Sequence, residues 1–220
     1  DVRGVPDTGS GTPPIVDMGA YEAQASTVRY VDADATGAES GLSWDDAFTR
    51  LQDALAVANS DGDHGFEIWV AEGVYYPDEG EGYTDDDRTA SFRIERDGLR
   101  LLGGFVGDET DADRRDPLGH PTVLSGDITQ DDIDEDENRV AETWADLQGD
   151  NAYHILWIEG VAEPIGRGTV IDGFTITAGD AASAEDGHGG GIHCTGSDGH
   201  ECGPTLSRLR VLGNRAEEDG

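Results

Sequence analysis

The chain has 220 residues and a formal net charge of −34, because 48 Asp and Glu residues face 14 basic residues that are all Arg. A surface this acidic repels nucleic acid and anionic lipid, so we expect neither as a partner. The sequence has no apolar stretch near the length of a membrane span, and its 32 Gly residues with a 35% apolar fraction favour a turn-rich β structure.

The acidity has three explanations that stay open. Adaptation to a salty habitat is the first, because salt at about 1 M shrinks the electrostatic screening length to about 3 Å and relieves self-repulsion. Calcium held by Asp-rich loops is the second, because hard cations take oxygen ligands. A genome bias towards Arg codons, without adaptive content, is the third.

The first 65 residues divide into two parts. Residues 1–24 contain Pro6, Pro13 and Pro14, which predict irregular structure. In residues 25–65 we expect a strand and then a helix, which a capping-box spacing of Ser43 and Asp46 begins. The apolar face of that helix comprises Trp44, Phe48, Leu51, Leu55 and Ala58. Such a helix suits the role of a cap on a stack of strands.

Residues 66–220 contain short apolar segments that end at Gly, Asn or Asp. The clearest lie at residues 101–105, 122–127, 154–158, 169–177, 189–192 and 204–212. A strand of three to five residues cannot bury its own apolar side, so we expect the segments to stack on each other. Unequal spacing predicts loops of variable length, including acidic insertions at residues 78–90 and 128–150. The expected fold class is all-β, a right-handed parallel β-helix open at the C-terminal end, with the N-terminal helix as its cap.

An ordered series of motifs carries a family resemblance. The motifs are YVD at 30–32, GLSWDDAF at 41–48, LQDAL at 51–55, IWVAEGVY at 68–75, LGGFVG at 102–107, TVLSGD at 122–127, DGFTI at 172–176 and GGGI at 189–192. The series, over residues 28–215, resembles bacterial surface proteins of the pectin-lyase-like superfamily, similar to polymorphic outer-membrane proteins. The resemblance implies export to the cell surface, outer membrane or extracellular space. It also implies that residues 1–24 close a preceding tandem domain.

The β-helix fold hosts enzymes, adhesins and stalks, so the resemblance implies no activity. Arg208 and Arg210 are candidates for the base of a lyase, although outward-facing solubilising residues are the favoured interpretation. His188 lies in a Gly-His-Gly sequence that superficially resembles polygalacturonases, whose companion motifs the sequence lacks. We therefore assign no catalytic residue and expect a structural or adhesive protein that presents loops to glycans or cells. The alternative is a polysaccharide lyase or glycoside hydrolase with its active site beyond residue 220.

The second insertion holds a candidate calcium site. Its oxygen ligands lie at near-alternate positions, namely Asp131, Asp132, Asp134, Asp136 and Asn138. The pattern departs from an EF-hand, because Glu137 stands where Gly must turn and Thr143 stands where a bidentate Glu belongs. An irregular calcium loop and a solvated acidic insertion both remain open.

Two further sets of residues point to chemistry at the surface. Cys194 and Cys202 enclose a short Gly-rich loop, which in an exported protein predicts a disulfide. The alternative is a zinc site that adds His188, His193 and His200. The candidates for stacking on sugar rings are Trp69, Tyr75, Tyr76 and Trp157, and core packing is the competing role for each of them.

Overall fold

The computed structural model describes residues 27–60, 65–183 and 187–217. The strands are β1 (Thr27–Val31), β2 (Phe66–Ala71), β3 (Gly73–Tyr75), β4 (Phe92–Ile94), β5 (Arg100–Phe105), β6 (Thr122–Ser125), β7 (Leu156–Gly160), β8 (Val170–Asp172), β9 (Phe174–Thr177), β10 (Ile192–Gly196), β11 (Thr205–Ser207) and β12 (Arg210–Val211). The α-helix is α1 (Leu51–Ser60), and short 3₁₀ turns lie at Ala112–Arg114, Trp144–Asp146 and Ala181–Ser183. The segment predicted to close a preceding domain, residues 1–24, lies outside the described residues.

The strands form three sheets in which every pairing is parallel. A five-stranded sheet has the order β1-β2-β5-β8-β11, a four-stranded sheet the order β12-β9-β6-β3, and a three-stranded sheet the order β10-β7-β4. From β2 onward the chain passes through the three sheets in turn, so strands that are neighbours in a sheet are separated in sequence by a loop and by strands of the other two sheets.

The core lies between the three sheets. There, strands in register place apolar side chains directly above one another in stacks. In the five-stranded sheet Ile68 pairs with Leu101 and Leu101 with Ile171, and all three side chains are fully buried. Leu124 and Ile176 form the corresponding pair of the four-stranded sheet. Because each strand is short, its apolar side chains are buried by the strands stacked above and below it.

A glycine marks the corner between β8 and β9. Gly173 has a φ of +88°, and a Cβ atom there would lie 2.8 Å from the carbonyl oxygen of Gly103 and 2.8 Å from a guanidinium nitrogen of Arg115. Only glycine accepts both the left-handed backbone and the close approach. The corner turns the chain out of one hydrogen-bonded ladder and into another.

The arrangement of the strands contradicts the predicted fold class. We expected an all-β fold in the form of one right-handed parallel β-helix with a capping helix, and that expectation is wrong. The strands lie in three separate parallel sheets rather than in a single closed solenoid, and an α-helix packs with them, which suggests a mixed α/β arrangement. The physical reason is that the chain turns at Gly173, which places β8 and β9 in different sheets, each with its own hydrogen-bonded ladder.

The helix begins later than the sequence predicts. The backbone N–H of Asp46 does donate to the Ser43 hydroxyl, at 3.2 Å, but residues 43–50 form turns, and Phe48 bridges Val31 in parallel. The helix α1 starts at Leu51 and buries Leu51, Gln52, Ala54, Leu55 and Ala58. In the described part of the chain, no helix has the length and apolar character to cross a membrane.

A second apolar cluster covers the outer face of the five-stranded sheet. The Trp69 and Phe105 rings stack with centroids 4.8 Å apart, and Trp44 packs on Phe105 at 5.6 Å. The guanidinium of Arg115 lies 5.9 Å from the Phe105 ring. Trp44 therefore belongs to this outer cluster and not to the predicted face of the helix.

Candidate cation and ligand-contact site

The acidic insertion after β6 is held at its base by a carboxylate. One oxygen of Asp127 accepts the backbone N–H of Asp131 at 3.0 Å, and the other accepts that of Asp132 at 3.3 Å. Asp127 follows β6 by two residues, so the rigid sheet fixes its position. The first turn of the insertion is thereby folded back onto the end of a buried strand.

The same network closes the far end of the insertion. Asp132 accepts hydrogen bonds from the backbone N–H of Gln148 and from Nδ2 of Asn151, the latter at 2.8 Å. The N–H of Ile133 donates to the carbonyl of Asp146 at 2.8 Å. Both ends of the insertion thus meet at Asp132, which gives this loop a defined conformation.

Three carboxylates converge in this network. Asp127, Asp131 and Asp132 each offer an oxygen, and these oxygens lie within 4.8 Å of one another. A cation at about 2.4 Å from each oxygen, the distance that calcium prefers, needs this spacing or less. A cavity of about 30 Å³ adjoins Asp127 and Asp132 and is also lined by Tyr76 and Arg139. The donor set and the spacing fit a hard divalent cation.

The electrostatics of the cluster favour a proton or a cation. Burial, helped by the negative charges of Asp127 and Asp131, raises the pKa of Asp132 to about 6 in spite of the hydrogen bonds from Gln148 and Asn151. Burial also raises the pKa of Asp127, with a smaller contribution from the charge of Asp131. At neutral pH the cluster therefore holds negative charge at a cost that a bound cation relieves.

We expect Asp132 to titrate near pH 6 in the folded chain, which a residue-assigned titration of carboxyl ¹³C shifts measures. Asp131→Asn should lower that pKa because it removes a nearby negative charge, whereas Asp136→Asn should leave it unchanged. The pKa of Asp132 in the folded chain lies above its unfolded value, so the ionised carboxylate destabilises the fold. This loss of stability is fully present above about pH 6 and is relieved as the pH falls from about 6 to about 4. An Asp132 that titrates near pH 4 would contradict the burial argument.

The remaining residues of the predicted calcium set lie elsewhere. Asp134 accepts the backbone N–H groups of Asn138 and Arg139, at 3.0 and 2.9 Å. Asn138 in turn donates to the carboxylates of Asp136 and Glu142. These residues form a hydrogen-bonded turn of their own, and the structure brings only Asp131 and Asp132 of the five together with Asp127. Alternate spacing places ligands together only in a loop of one particular curvature, and this loop bends at the end of β6 instead.

The four predicted sugar-stacking residues differ in how deeply they are buried. Trp69 is 6% exposed and Tyr75 is 2% exposed, so neither ring can meet a ligand, and both are core residues. Tyr76 is half-buried beside the cavity at Asp127. Trp157 is half-buried on the three-stranded sheet, with the Arg93 guanidinium 4.9 Å and the His193 ring 4.6 Å from its own ring. Those two neighbours already pack on Trp157, which makes it a poor stacking platform.

Trp144 is the exposed aromatic residue that the sequence analysis missed. It starts the 3₁₀ turn of the acidic insertion, and 63% of it is exposed. The guanidinium of Arg215 lies 5.8 Å from the centroid of its ring. A lone Trp within a polar, acidic stretch was the available signal, because a loop without an apolar pattern has no core in which to bury it.

The remaining candidates have structural partners. Cys194 and Cys202 form a disulfide with their Cα atoms 5.8 Å apart, so neither sulfur is available as a zinc ligand. Arg208, the candidate base, makes two hydrogen bonds to the carboxylate of Asp172, at 2.8 and 3.0 Å. This bidentate ion pair gives Arg208 a structural role on the five-stranded sheet.

The comparisons with known proteins add no relative. No protein-family model, no curated protein and no solved structure matches this chain. The function must therefore be argued from the site alone.

Proposed function

We propose that this chain is a non-catalytic extracellular or cell-surface protein with a structural or adhesive role, which presents ordered loops to glycans or neighbouring cells. The observation that carries the proposal is Trp144, an indole 63% exposed on an insertion whose two ends are tied together at Asp132. An exposed aromatic ring on an ordered loop supplies contact area at a low entropic cost.

The chemistry around Trp144 favours sugar over other ligands. The faces of sugar rings pack on aromatic rings, and carboxylates accept hydrogen bonds from sugar hydroxyls. Glu142 and Asp146 flank Trp144 in sequence and supply such acceptors. Because the chain carries −34 and these acceptors are anionic, neutral glycans fit better than sulfated or uronate-rich ones.

Calcium belongs to the same proposal. The cluster of Asp127, Asp131 and Asp132 lies at the base of the insertion that carries Trp144, and a cation there offsets the repulsion among the three carboxylates. Bound calcium would thereby hold the loop in the conformation that presents the indole. The disulfide between Cys194 and Cys202 suits an oxidising extracellular setting.

The test is the affinity of the chain for immobilised neutral glycans, measured with calcium and with a chelator in high salt. We expect Trp144→Ala to weaken binding about tenfold or more, which corresponds to about 1.4 kcal/mol. We expect the chelator to weaken binding by the wild type, and Asp131→Asn to mimic the chelator.

Leu118→Ala provides the matched control, because Leu118 is 85% exposed on a different loop and should be neutral. Equal binding by the wild type and Trp144→Ala would show that the insertion is not the contact surface. Equal glycan binding with calcium and with the chelator would show that a bound cation is not needed for the contact.

A further inference from the structure

The first acidic insertion, residues 78–90, is joined at its base by a buried amide. The Gln52 side chain on α1 donates from Nε2 to the carbonyl of Pro77 and also to that of Ser91, the latter at 3.1 Å. Gln52 is 2% exposed, so the two ends of the insertion meet inside the molecule. The first residue of the insertion, Asp78, therefore lies at this buried base and not on the exposed part of the loop.

Asp78 is a buried carboxylate with one oxygen that lacks a partner. It is 5% exposed, and its Oδ2 accepts the backbone N–H of Asp86 at 2.9 Å. Its Oδ1 is buried and has no hydrogen-bond partner in the described part of the chain, and the same holds for the Ser91 hydroxyl at the other end of the insertion. Burial of an ionised carboxylate is costly unless a donor or a cation compensates it. An orphaned buried oxygen of this kind therefore points to a bound ion.

No basic side chain among the described residues lies within ion-pair distance of Asp78. Arg50, which lies next to α1, pairs with Glu79 at 3.0 Å. Arg88, the basic residue of the insertion itself, pairs with Asp180 at 3.7 Å. The positive charge that would compensate Asp78 must therefore come from outside this part of the chain.

Further negative charge surrounds Asp78 instead. Burial raises the pKa of Asp78 in spite of the hydrogen bond from the N–H of Asp86, and the charges of Asp86 and Asp85 add to the rise. The carboxylate of Asp87 is already engaged, because it accepts the N–H and the hydroxyl of Thr89 at 2.9 and 2.7 Å. Asp85 and Asp86 are exposed and lie on the turn that Oδ2 of Asp78 holds in place.

We propose that Asp78 anchors a calcium ion at the base of the first insertion. Oδ1 of Asp78 supplies the buried ligand, and the carboxylates of Asp85 and Asp86, together with water, complete a shell of oxygen ligands. The cation compensates the orphaned oxygen and the repulsion within the turn. Among the described side chains only the cluster at Asp127 brings three carboxylates together, so this second site relies on fewer protein ligands and binds calcium more weakly.

Equilibrium dialysis with ⁴⁵Ca²⁺ tests the proposal. The measurement is made in the Asp131→Asn variant, which weakens the other cluster, so the result does not depend on the proposed function. Salt at about 1 M suppresses diffuse binding of calcium to the acidic surface. We expect a site with a dissociation constant of about 1 mM or below, and we expect Asp78→Asn, added to this variant, to weaken it about tenfold or more.

The matched control adds Asp87→Asn to the Asp131→Asn variant in place of Asp78→Asn. It removes the same charge from the same insertion, and an asparagine oxygen can still accept the hydrogen bonds from Thr89. Calcium binding should therefore be retained. Urea unfolding of each variant verifies that it is folded. Equal calcium binding by the Asp78→Asn and Asp87→Asn variants would overturn the proposal.

A residue-assigned carboxyl ¹³C spectrum of the wild-type chain is the second measurement, because it needs no substitution at the site. Calcium should shift the Asp78 resonance and leave that of Asp111 unchanged, since Asp111 is exposed on another loop. An Asp78 resonance that titrates with pH but does not respond to calcium would also overturn the proposal. It would show that a proton, and not a cation, neutralises this carboxylate.

Discussion

Asp172→Ala is expected to lower the free energy of unfolding by about 3–5 kcal/mol, because it leaves a buried guanidinium without its partner. Asp172 is 7% exposed, and the side chain of Arg115, whose guanidinium lies 3.0 Å from it, is 6% exposed. Arg208 binds the same carboxylate from the turn after β11. One carboxylate thus joins the loop after β5 to two strands of the five-stranded sheet. Urea titration in high salt, followed by tryptophan fluorescence, measures the loss.

Glu79→Ala is the control for this prediction. Its partner Arg50 lies 3.0 Å away, but both side chains are more than a third exposed. Exposed pairs contribute about 0–1 kcal/mol, so this variant should stay close to the wild type. Equal losses for the two variants would show that the burial of Asp172 does not matter.

The same carboxylate predicts a loss of stability in acid. Burial alone would raise the pKa of Asp172, but hydrogen bonds and charges from Arg208 and Arg115 outweigh it and lower the pKa. The folded value therefore lies below the unfolded value of about 3.9. The stabilisation is fully present above pH 4 and is lost as the pH falls through the lower folded pKa. Ionisation of Asp132 has the opposite effect on the free energy of unfolding, because it destabilises the folded chain. This effect changes in a separate range, between about pH 4 and 6.

Phe105→Ala is expected to cost about 3–5 kcal/mol, because it empties the centre of the outer aromatic cluster. Phe105 is fully buried, stacks on Trp69 at 4.8 Å and contacts Trp44 at 5.6 Å. The loss should be accompanied by a change in near-ultraviolet circular dichroism, since two tryptophans lose their neighbour.

Tyr83→Ala serves as the comparison for Phe105→Ala, because Tyr83 is 40% exposed and should cost little. A loss below about 1.5 kcal/mol for Phe105→Ala would show that the cluster does not stabilise the sheet.

The sequence predicted the positions of β5 and β6 well, for a physical reason. The segments at 101–105 and 122–127 combine apolar residues with Gly or Asp at their ends, and β5 and β6 lie within one or two residues of them. The sequence did not predict how the strands are distributed among the sheets. This distribution depends on where the backbone turns corners, as at Gly173, and a glycine in sequence does not tell a corner from a bulge or a loop.

The predicted start of the helix was wrong because residues outside the helix share the spacing of its apolar face. Trp44 and Phe48 have the spacing of the later helical face, yet Trp44 packs on Phe105 and Phe48 pairs with Val31. Tertiary contacts outside the segment decided the conformation of residues 43–50, and local periodicity carries no information about them.

The candidate site was predicted in part. Asp131 and Asp132 were identified from the near-alternate spacing of oxygen ligands. Asp127 was counted with the strand that it follows, although an aspartate just past a buried strand is well placed to bind a neighbouring loop. Trp144 was passed over because it lies in an acidic insertion, and its exposure depends on how that insertion folds. Both omissions concern the three-dimensional course of one loop.

We propose that this chain binds glycans without transforming them. A panel of pectate, alginate, chondroitin and neutral glycans, incubated with the chain in calcium and high salt, tests it when retention, new reducing ends and unsaturated-product absorbance are measured together. We expect retention on a neutral glycan, with neither new reducing ends nor unsaturated product. Turnover of any member of the panel would contradict it and would favour a polysaccharide lyase or glycoside hydrolase.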